Sequence, residues 1–364
     1  MKLKILAVFS FVFFGLLSFF FFGRKPAIIS PLPSNKEKNF FSPEKTITQY
    51  TPYSFEELSH RRFPPGKIKL GAITKEGDNY KTYVFTYQCE GKTISGMANI
   101  PYRSSPSQMQ QNSTQDKSLV EKFPVIILLR GYAPREGYHI GLGTEKSANY
   151  FAANGFLTLA PDFLGYGYSD WEDQDILLAR FNRPVEVLCL LASLGSLPQA
   201  DTSKIGLWGH SNGGQIALSL LEITGKPYPT SLWAPVSLGF PESVLVYLGS
   251  EEVGNPVKEK ITEFLKENDP RKFSITEYFS LLKSPFIIHQ ATADEMIKVE
   301  WTRNLVDNLK KQNLIVDFYL YPQENHNFNR YQNTGDLLRQ RDLEFFKKWL
   351  MSDGLPTTKN NKSR

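Results

Sequence analysis

Residues 207–214 read Leu-Trp-Gly-His-Ser-Asn-Gly-Gly, and they force a strand and a helix to meet within about three residues of each other. The short apolar run Lys204-Ile-Gly-Leu-Trp208 predicts a buried strand. Beyond the serine, Gln215–Glu222 carries good helix formers and stops at Gly225 and Pro227, which predicts a helix with a breaker. So tight a turn needs strained backbone angles and close packing of helix on sheet, and both favour residues without a Cβ. Gly209, Gly213 and Gly214 supply them. Ser211 is left at the tip with its hydroxyl exposed, at a helix N-terminus whose unpaired N–H groups favour negative charge.

A glycine-rich turn with an incidental serine fits the same stretch, so the partners decide. A serine hydroxyl needs a base within hydrogen-bond reach and a third group to orient that base. Of five histidines, His60 lies in a basic stretch flanked by proline, His139 in a loop, and His210 beside the serine, where the turn is expected to aim it away. His289 ends the apolar run Pro285–His289 and reads as a core or strand-end residue. His326 follows the strand predicted over Ile315–Tyr321, at the carboxyl end where open α/β sheets bind ligands. Asp294 follows Pro285–His289 by five residues, before the helix predicted over Glu300–Lys311. Ser211, Asp294 and His326 thus stand in the order serine, acid, histidine, separated by 83 and 32 residues. Glu295 and Glu324 are the alternatives for the acid.

An oxyanion formed at the serine needs two N–H donors. The backbone N–H of Asn212 is one candidate. Tyr132 supplies the other, through its backbone N–H or its phenol, in the turn Arg130-Gly131-Tyr132 after the apolar strand predicted to begin at Phe123.

With these residues in view, the chain resembles the α/β hydrolases, and within them the catalytic domain of the prolyl oligopeptidase family. The resemblance runs from about Tyr80 to Leu350 through "GMANIP" ending at Pro101, "LLRGY", "ANGFLTLAPDFLGYGYSD", "GHSNGG", "SPFIIHQATADEM" and "YPQENHNF". It implies an α/β fold, a mostly parallel doubly wound sheet with a small helical lid. It also implies that Ser211, Asp294 and His326 form a catalytic triad, while Asp162 and Gly165 shape a loop beside the site, Asp162 mainly as a structural residue. The family's turn often begins His-Gly where this chain has Arg130-Gly131, and Ala291 stands where a glycine is usual. Larger members carry a β-propeller ahead of the catalytic domain, for which this sequence leaves no room.

Residues 1–25 contain an uncharged apolar run, Ile5–Phe22, between basic pairs, and its length suits a single membrane anchor with the enzyme outside the cytoplasm. The run ends in four phenylalanines, which suits an uncleaved segment better than a removed signal. Residues 26–75, with seven prolines, read as an extended spacer interrupted by one short helix capped at Ser54. The catalytic domain is expected over 76–351, with a polar loop over Ser104–Lys122, and a basic tail over 352–364. Some 48 residues separate Ser231–Val236 from Pro285–Ile288, more than one crossover needs. The excess, about 237–283, is expected to be a lid of two amphipathic helices, Pro241–Leu248 and Val257–Leu265, joined through Gly249–Asn255. Val244, Tyr247 and Leu248 are expected to face the pocket.

The net charge of +5 gives no case for nucleic acid: four of those charges lie in residues 1–25 and three in Thr357–Arg364, leaving the intervening 331 residues at about −2. Cys189 reads as a small buried hydrophobe in a helix and is not expected to bond Cys89. No metal-ligand spacing or phosphate-binding glycine loop appears, so no cofactor is expected. The sequence therefore predicts a membrane-anchored serine hydrolase acting on short peptides, with a carboxylesterase on the same triad as the alternative and a catalytically silent binding domain as the second. It leaves the oligomeric state open.

Overall fold

The computed structural model describes residues 47–102, 120–248 and 251–352, without the side chains of 251–253. The expected anchor, the proline-rich residues before 47, most of the polar loop over Ser104–Lys122 and the tail from 353 lie outside the described residues. Among those residues no helix is long and apolar enough to cross a membrane.

The described strands are β1 (Lys69–Glu76), β2 (Tyr80–Cys89), β3 (Lys92–Pro101), β4 (Phe123–Leu129), β5 (Leu157–Pro161), β6 (Ala200–His210), β7 (Thr230–Trp233), β8 (Phe286–Ala291) and β9 (Val316–Tyr321). They form one sheet in the order β1-β2-β3-β5-β4-β6-β7-β8-β9. The first three strands run antiparallel to their neighbours, and β5 through β9 are parallel to one another. The helices are α1 (Phe55–His60), α2 (Glu145–Ala153), α3 (Ile176–Ser193), α4 (Asn212–Thr224), α5 (Glu242–Leu245), α6 (Glu251–Glu267), α7 (Val299–Lys311) and α8 (Thr334–Phe346). This is the α/β hydrolase fold.

β4, near the middle of the sheet, is apolar throughout because both faces of the sheet are covered there. Alternate side chains of β4 go to opposite sides: Val125, Ile127 and Leu129 join a core with residues of α1, α3, α4 and α7, whereas Ile126 and Leu128 join one with residues of α2 and α8. From β4 the chain first builds β5 on one side and then crosses to β6 on the other, so the order reverses at β4. That reversal opens a crevice at the carboxyl ends of β4 and β6.

Three expectations need correction. The sheet begins inside the stretch read as spacer: β1 pairs with β2, and Phe55 and Leu58 of α1 are buried in the core. The lid helices also differ. The first is a single turn, α5, and the second starts at Glu251, so Gly254 and Pro256 lie within α6 rather than in a linker. Apolar residues at Val257, Ile261 and Phe264 explain why: they face one side of α6 and bury against Phe181, Phe240 and Phe273, and packing overrides the local breakers. Val244 and Leu248 pack on that same aromatic cluster, and only Tyr247 packs on the core containing Trp233, Ala234 and Val236.

The third correction is covalent. β2 ends against α3, which brings the Cα atoms of Cys89 and Cys189 to 5.5 Å, and the two residues form a disulfide. It spans a separation of 100 residues. By chain entropy, closing such a loop in the unfolded state is worth roughly 4–5 kcal/mol. Urea unfolding with and without a reductant, compared with Cys89→Ser, is expected to show the midpoint falling on reduction in the wild type and not in the variant. An unchanged wild-type midpoint would remove the bridge from the account.

Candidate active site

At the end of β6 the chain turns into α4 through Ser211, whose φ of 54 and ψ of −120 make it a strained non-glycine residue. Its neighbours hold it there: Ser211 N–H donates to the Trp233 carbonyl at 2.9 Å, and Val236 N–H donates to the Ser211 carbonyl at 3.0 Å. Close packing of α4 explains the glycine at 213, where a Cβ would lie 1.9 Å from the Leu129 carbonyl oxygen. Gly209 and Gly214 flank the same turn. Asn212 is the first helical residue, and its N–H belongs to the unpaired N-terminus of α4.

His326 lies in the loop after β9. Its Nδ1 sits 3.0 and 3.1 Å from the two carboxylate oxygens of Asp294, in the loop after β8. Asp294 is itself fixed: Oδ1 accepts from the N–H groups of Met296 and Ile297, each at 2.8 Å, and Oδ2 from Gln290 Nε2 at 3.1 Å. The two alternative acids do other work. Glu295 accepts the His326 backbone N–H at 3.2 Å, and Glu324 accepts from Asn325, Arg330 and Tyr331, clamping the loop that carries the histidine. With Nδ1 committed to Asp294, Nε2 is the imidazole nitrogen left for a serine. No Ser211–His326 hydrogen bond is formed among the described residues, and such bonds commonly tighten only when substrate arrives.

His210 does not point away, as its sequence position suggested. Its ring lies over that of His326, centroids 4.8 Å apart, and its Nε2 is 3.0 Å from the His326 carbonyl. Burial, together with the His326 charge, pulls His210 down to about 4, so it is neutral near pH 7 and donates Nε2–H to that carbonyl.

The turn after β4 is built around Arg130. Its Nη1 donates to the Gly131 carbonyl at 2.9 Å and its Nη2 to the Asp162 carbonyl at 2.7 Å, and the guanidinium lies 4.0 Å from the Tyr166 ring centroid. A trans peptide points its N–H opposite its C=O, so anchoring the Gly131 carbonyl also aims the Tyr132 N–H. A Cβ on Gly131 would touch Ser211 Cβ at 3.0 Å, which places this turn directly against the elbow. The Tyr132 side chain is 59 % exposed, so the phenol is the poorer of its two donors. Asp162 has the structural part expected of it: buried, its carboxyl pushed up by that burial, it accepts from Ser95 Oγ at 2.5 Å and Tyr138 Oη at 2.7 Å.

Beneath the elbow lies a network that the sequence reading missed. Asp342 of α8 is fully buried and accepts from Trp208 Nε1, Trp233 Nε1 and Ser231 Oγ, at 3.2, 2.7 and 2.7 Å. It also meets His289 Nε2 at 2.9 Å, while His289 Nδ1 lies 2.7 Å from Tyr321 Oη. His289 is therefore a core residue, as its place at a strand end suggested. The signal for Asp342 was two tryptophans and a histidine at the ends of apolar strands, all needing a buried partner. Among the described residues no group of three His, Cys, Asp or Glu could hold a metal ion.

Residues 143–353 match the prolyl oligopeptidase family. No curated protein matches the sequence significantly. Among solved structures, the acetyl xylan esterase of Paenibacillus sp. R4 is 17 % identical, with a TM-score of 0.58 over 83 % of this chain and 96 % of that one. The acetyl xylan esterase 1 of Thermoanaerobacterium sp. JW/SL YS485 is 16 % identical, with a TM-score of 0.52 over 83 % and 95 %. The acylaminoacyl peptidase of Pyrococcus horikoshii is 17 % identical, with a TM-score of 0.55 over 76 % of this chain but 43 % of its own. At such identities the likeness is one of fold.

His210 gives the site a pH-dependent stability. The unfolded chain binds a proton at the ordinary 6.5 that the folded one resists until about 4, so stability is lost as pH falls through 6.5 and levels off below about 4. The stability margin of the wild type over His210→Gln is expected to shrink between pH 7 and 4, by at most about 3 kcal/mol in urea unfolding. A margin constant with pH would contradict the burial assigned to this ring.

Proposed function

The chain belongs to the prolyl oligopeptidase family and is a serine hydrolase, and from that premise we propose that it cleaves short peptides through an acyl-enzyme on Ser211. The observation that carries this reading is the contact of His326 Nδ1 with the Asp294 carboxylate, at the same end of the sheet as the strained Ser211. In the first step Ser211 Oγ attacks the carbonyl and its proton passes to His326 Nε2. Asp294 holds Nδ1–H and stabilises the imidazolium. The N–H groups of Asn212 and Tyr132 receive the oxyanion. The imidazolium then protonates the leaving amine, and water repeats the sequence on the acyl-enzyme.

Ester cleavage on the same groups is the second reading. It is favoured by the likeness to two acetyl xylan esterases over nearly their whole length. Matched peptide and ester substrates sharing one acyl group separate the two readings: a kcat/KM for the ester exceeding that for the amide by no more than the intrinsic reactivity difference supports a peptidase.

The enzyme is proposed to be held at a membrane by Ile5–Phe22, with the catalytic domain outside the cytoplasm. The Cys89–Cys189 disulfide supports this, because such bonds persist in oxidising compartments. Protease added to intact cells is then expected to degrade the hydrolase domain, and full protection would reverse the orientation.

Ser211→Ala is expected to abolish labelling by a fluorophosphonate while leaving the unfolding midpoint near that of the wild type. Asp294→Asn is expected to lower kcat by about 10⁴-fold with little change in KM, because the imidazole would present the wrong tautomer to the serine. Persistent labelling of Ser211→Ala would put the nucleophile elsewhere.

A further inference from the structure

Arg180 lies within the second turn of α3, and its Nη2 donates to two neutral groups. One is Gln215 Oε1, four residues along α4 from Ser211; the other is Ser243 Oγ of α5, at 3.0 Å. Among the described residues no carboxylate pairs with it. Arg180 is half-buried, and a guanidinium even partly taken out of water is costly unless paired; desolvation pulls this one down to about 10. Such a group either braces the insertion or waits for an anion.

A second observation favours the anion. The hydroxyl of Tyr247 is buried and has no hydrogen-bond partner. Burial pushes this phenol up while the Arg180 charge pulls it down, and Tyr247 lies four residues past Ser243, whose hydroxyl Arg180 bonds. Ser237 Oγ is likewise buried without a partner, one residue past Val236, whose N–H holds the Ser211 carbonyl. A brace would have its polar atoms satisfied. Here a cation with only neutral partners and two unpartnered hydroxyls belong to segments that adjoin the elbow: α3 bonded to α4, the chain just after Val236, and the residues just past α5.

We propose that Arg180, with the Tyr247 hydroxyl, binds a carboxylate of the substrate and selects peptides or esters that carry one close to the scissile carbonyl. The inference rests on Ser211 being the nucleophile. Arg180 is well suited to it, because a guanidinium offers a planar pair of N–H donors that matches a carboxylate. The carboxylate has two sources, the acyl side of the substrate or the free C-terminus of a peptide leaving group, and paired substrates tell them apart.

The test uses the full-length protein. For the acyl side, kcat/KM is compared for the p-nitrophenyl monoesters of glutaric and valeric acids, which differ in terminal charge; for the leaving side, for one short peptide with a free or an amidated C-terminus. In at least one pair the wild type is expected to favour the anionic member by about tenfold or more, and Arg180→Gln to lower that ratio by a similar factor. Arg180→Lys is expected to keep part of it. Tyr247→Phe, which removes one oxygen and little packing, is expected to lower it several-fold and carries the test should Arg180→Gln fail to fold. Titration calorimetry of glutarate with Ser211→Ala reads the subsite without turnover, and weaker binding is expected once Arg180→Gln is added. A neutral fluorophosphonate reports on the nucleophile separately. Normal labelling of Ser211 with no anionic preference in either pair, or with ratios unchanged in Arg180→Gln and Tyr247→Phe, overturns the subsite alone. Loss of labelling in the wild type overturns the reading of Ser211.

Discussion

A residue with a side chain held at φ 54 and ψ −120 is strained by on the order of 1–3 kcal/mol, and the sheet must supply the bonds that keep it there. Ser211 is gripped by the Trp233 carbonyl at the end of β7 and by the Val236 N–H just beyond it. Below it, Asp342 binds the indoles of Trp208 and Trp233, the Ser231 hydroxyl and His289, tying β6, β7 and β8 to α8 through one buried carboxylate. Hydrogen bonds to a charged group are worth about 1.5–3 kcal/mol each, and removing their shared acceptor would strand several buried donors at once. The elbow's geometry is therefore set by the packing of three strands rather than by the glycine-rich turn alone.

The groups around the elbow are fixed by similar means. Asp294 is clamped by two backbone N–H groups and Gln290 before it meets His326, and the His326 loop is held by Glu295, Glu324 and His210. On the opposite side Arg130 anchors the Gly131 carbonyl under the rings of Tyr138, Phe163 and Tyr166. Its backbone and cation–π contacts lock the turn that aims the Tyr132 N–H. A histidine there, as the family often has, could not make all of these contacts.

What the sequence made legible follows from locality. Parallel strands buried on both faces are apolar runs, and the elbow compresses its constraint into a few adjacent residues, so β4, β6, β8, β9 and the turn at Ser211 could be read directly. The pairing of His326 with Asp294 was readable because each closes a loop at a strand's carboxyl end. What escaped notice depends on distant elements meeting. Cys89 and Cys189 are 100 residues apart, and only the docking of β2 on α3 brings them together. Asp342 and Arg180 sit on helices, where a charged residue ordinarily faces water, and nothing local marks Asp342 as buried or Arg180 as bonded to Gln215 and Ser243. The start of α6 was misplaced because Gly254 and Pro256 look like breakers, whereas the aromatic cluster that stabilises the helix comes from α3 and the segments flanking α6.

The central claim, that the fold exists to present Ser211 as a nucleophile, is tested most directly by trapping the covalent intermediate. Wild-type protein mixed with a p-nitrophenyl ester, quenched in acid within the first turnover and digested for mass spectrometry, should carry one acyl group on the peptide containing Ser211. The adduct should be absent once substrate is exhausted. Turnover without that adduct, or an acyl group on any other residue, would contradict the account.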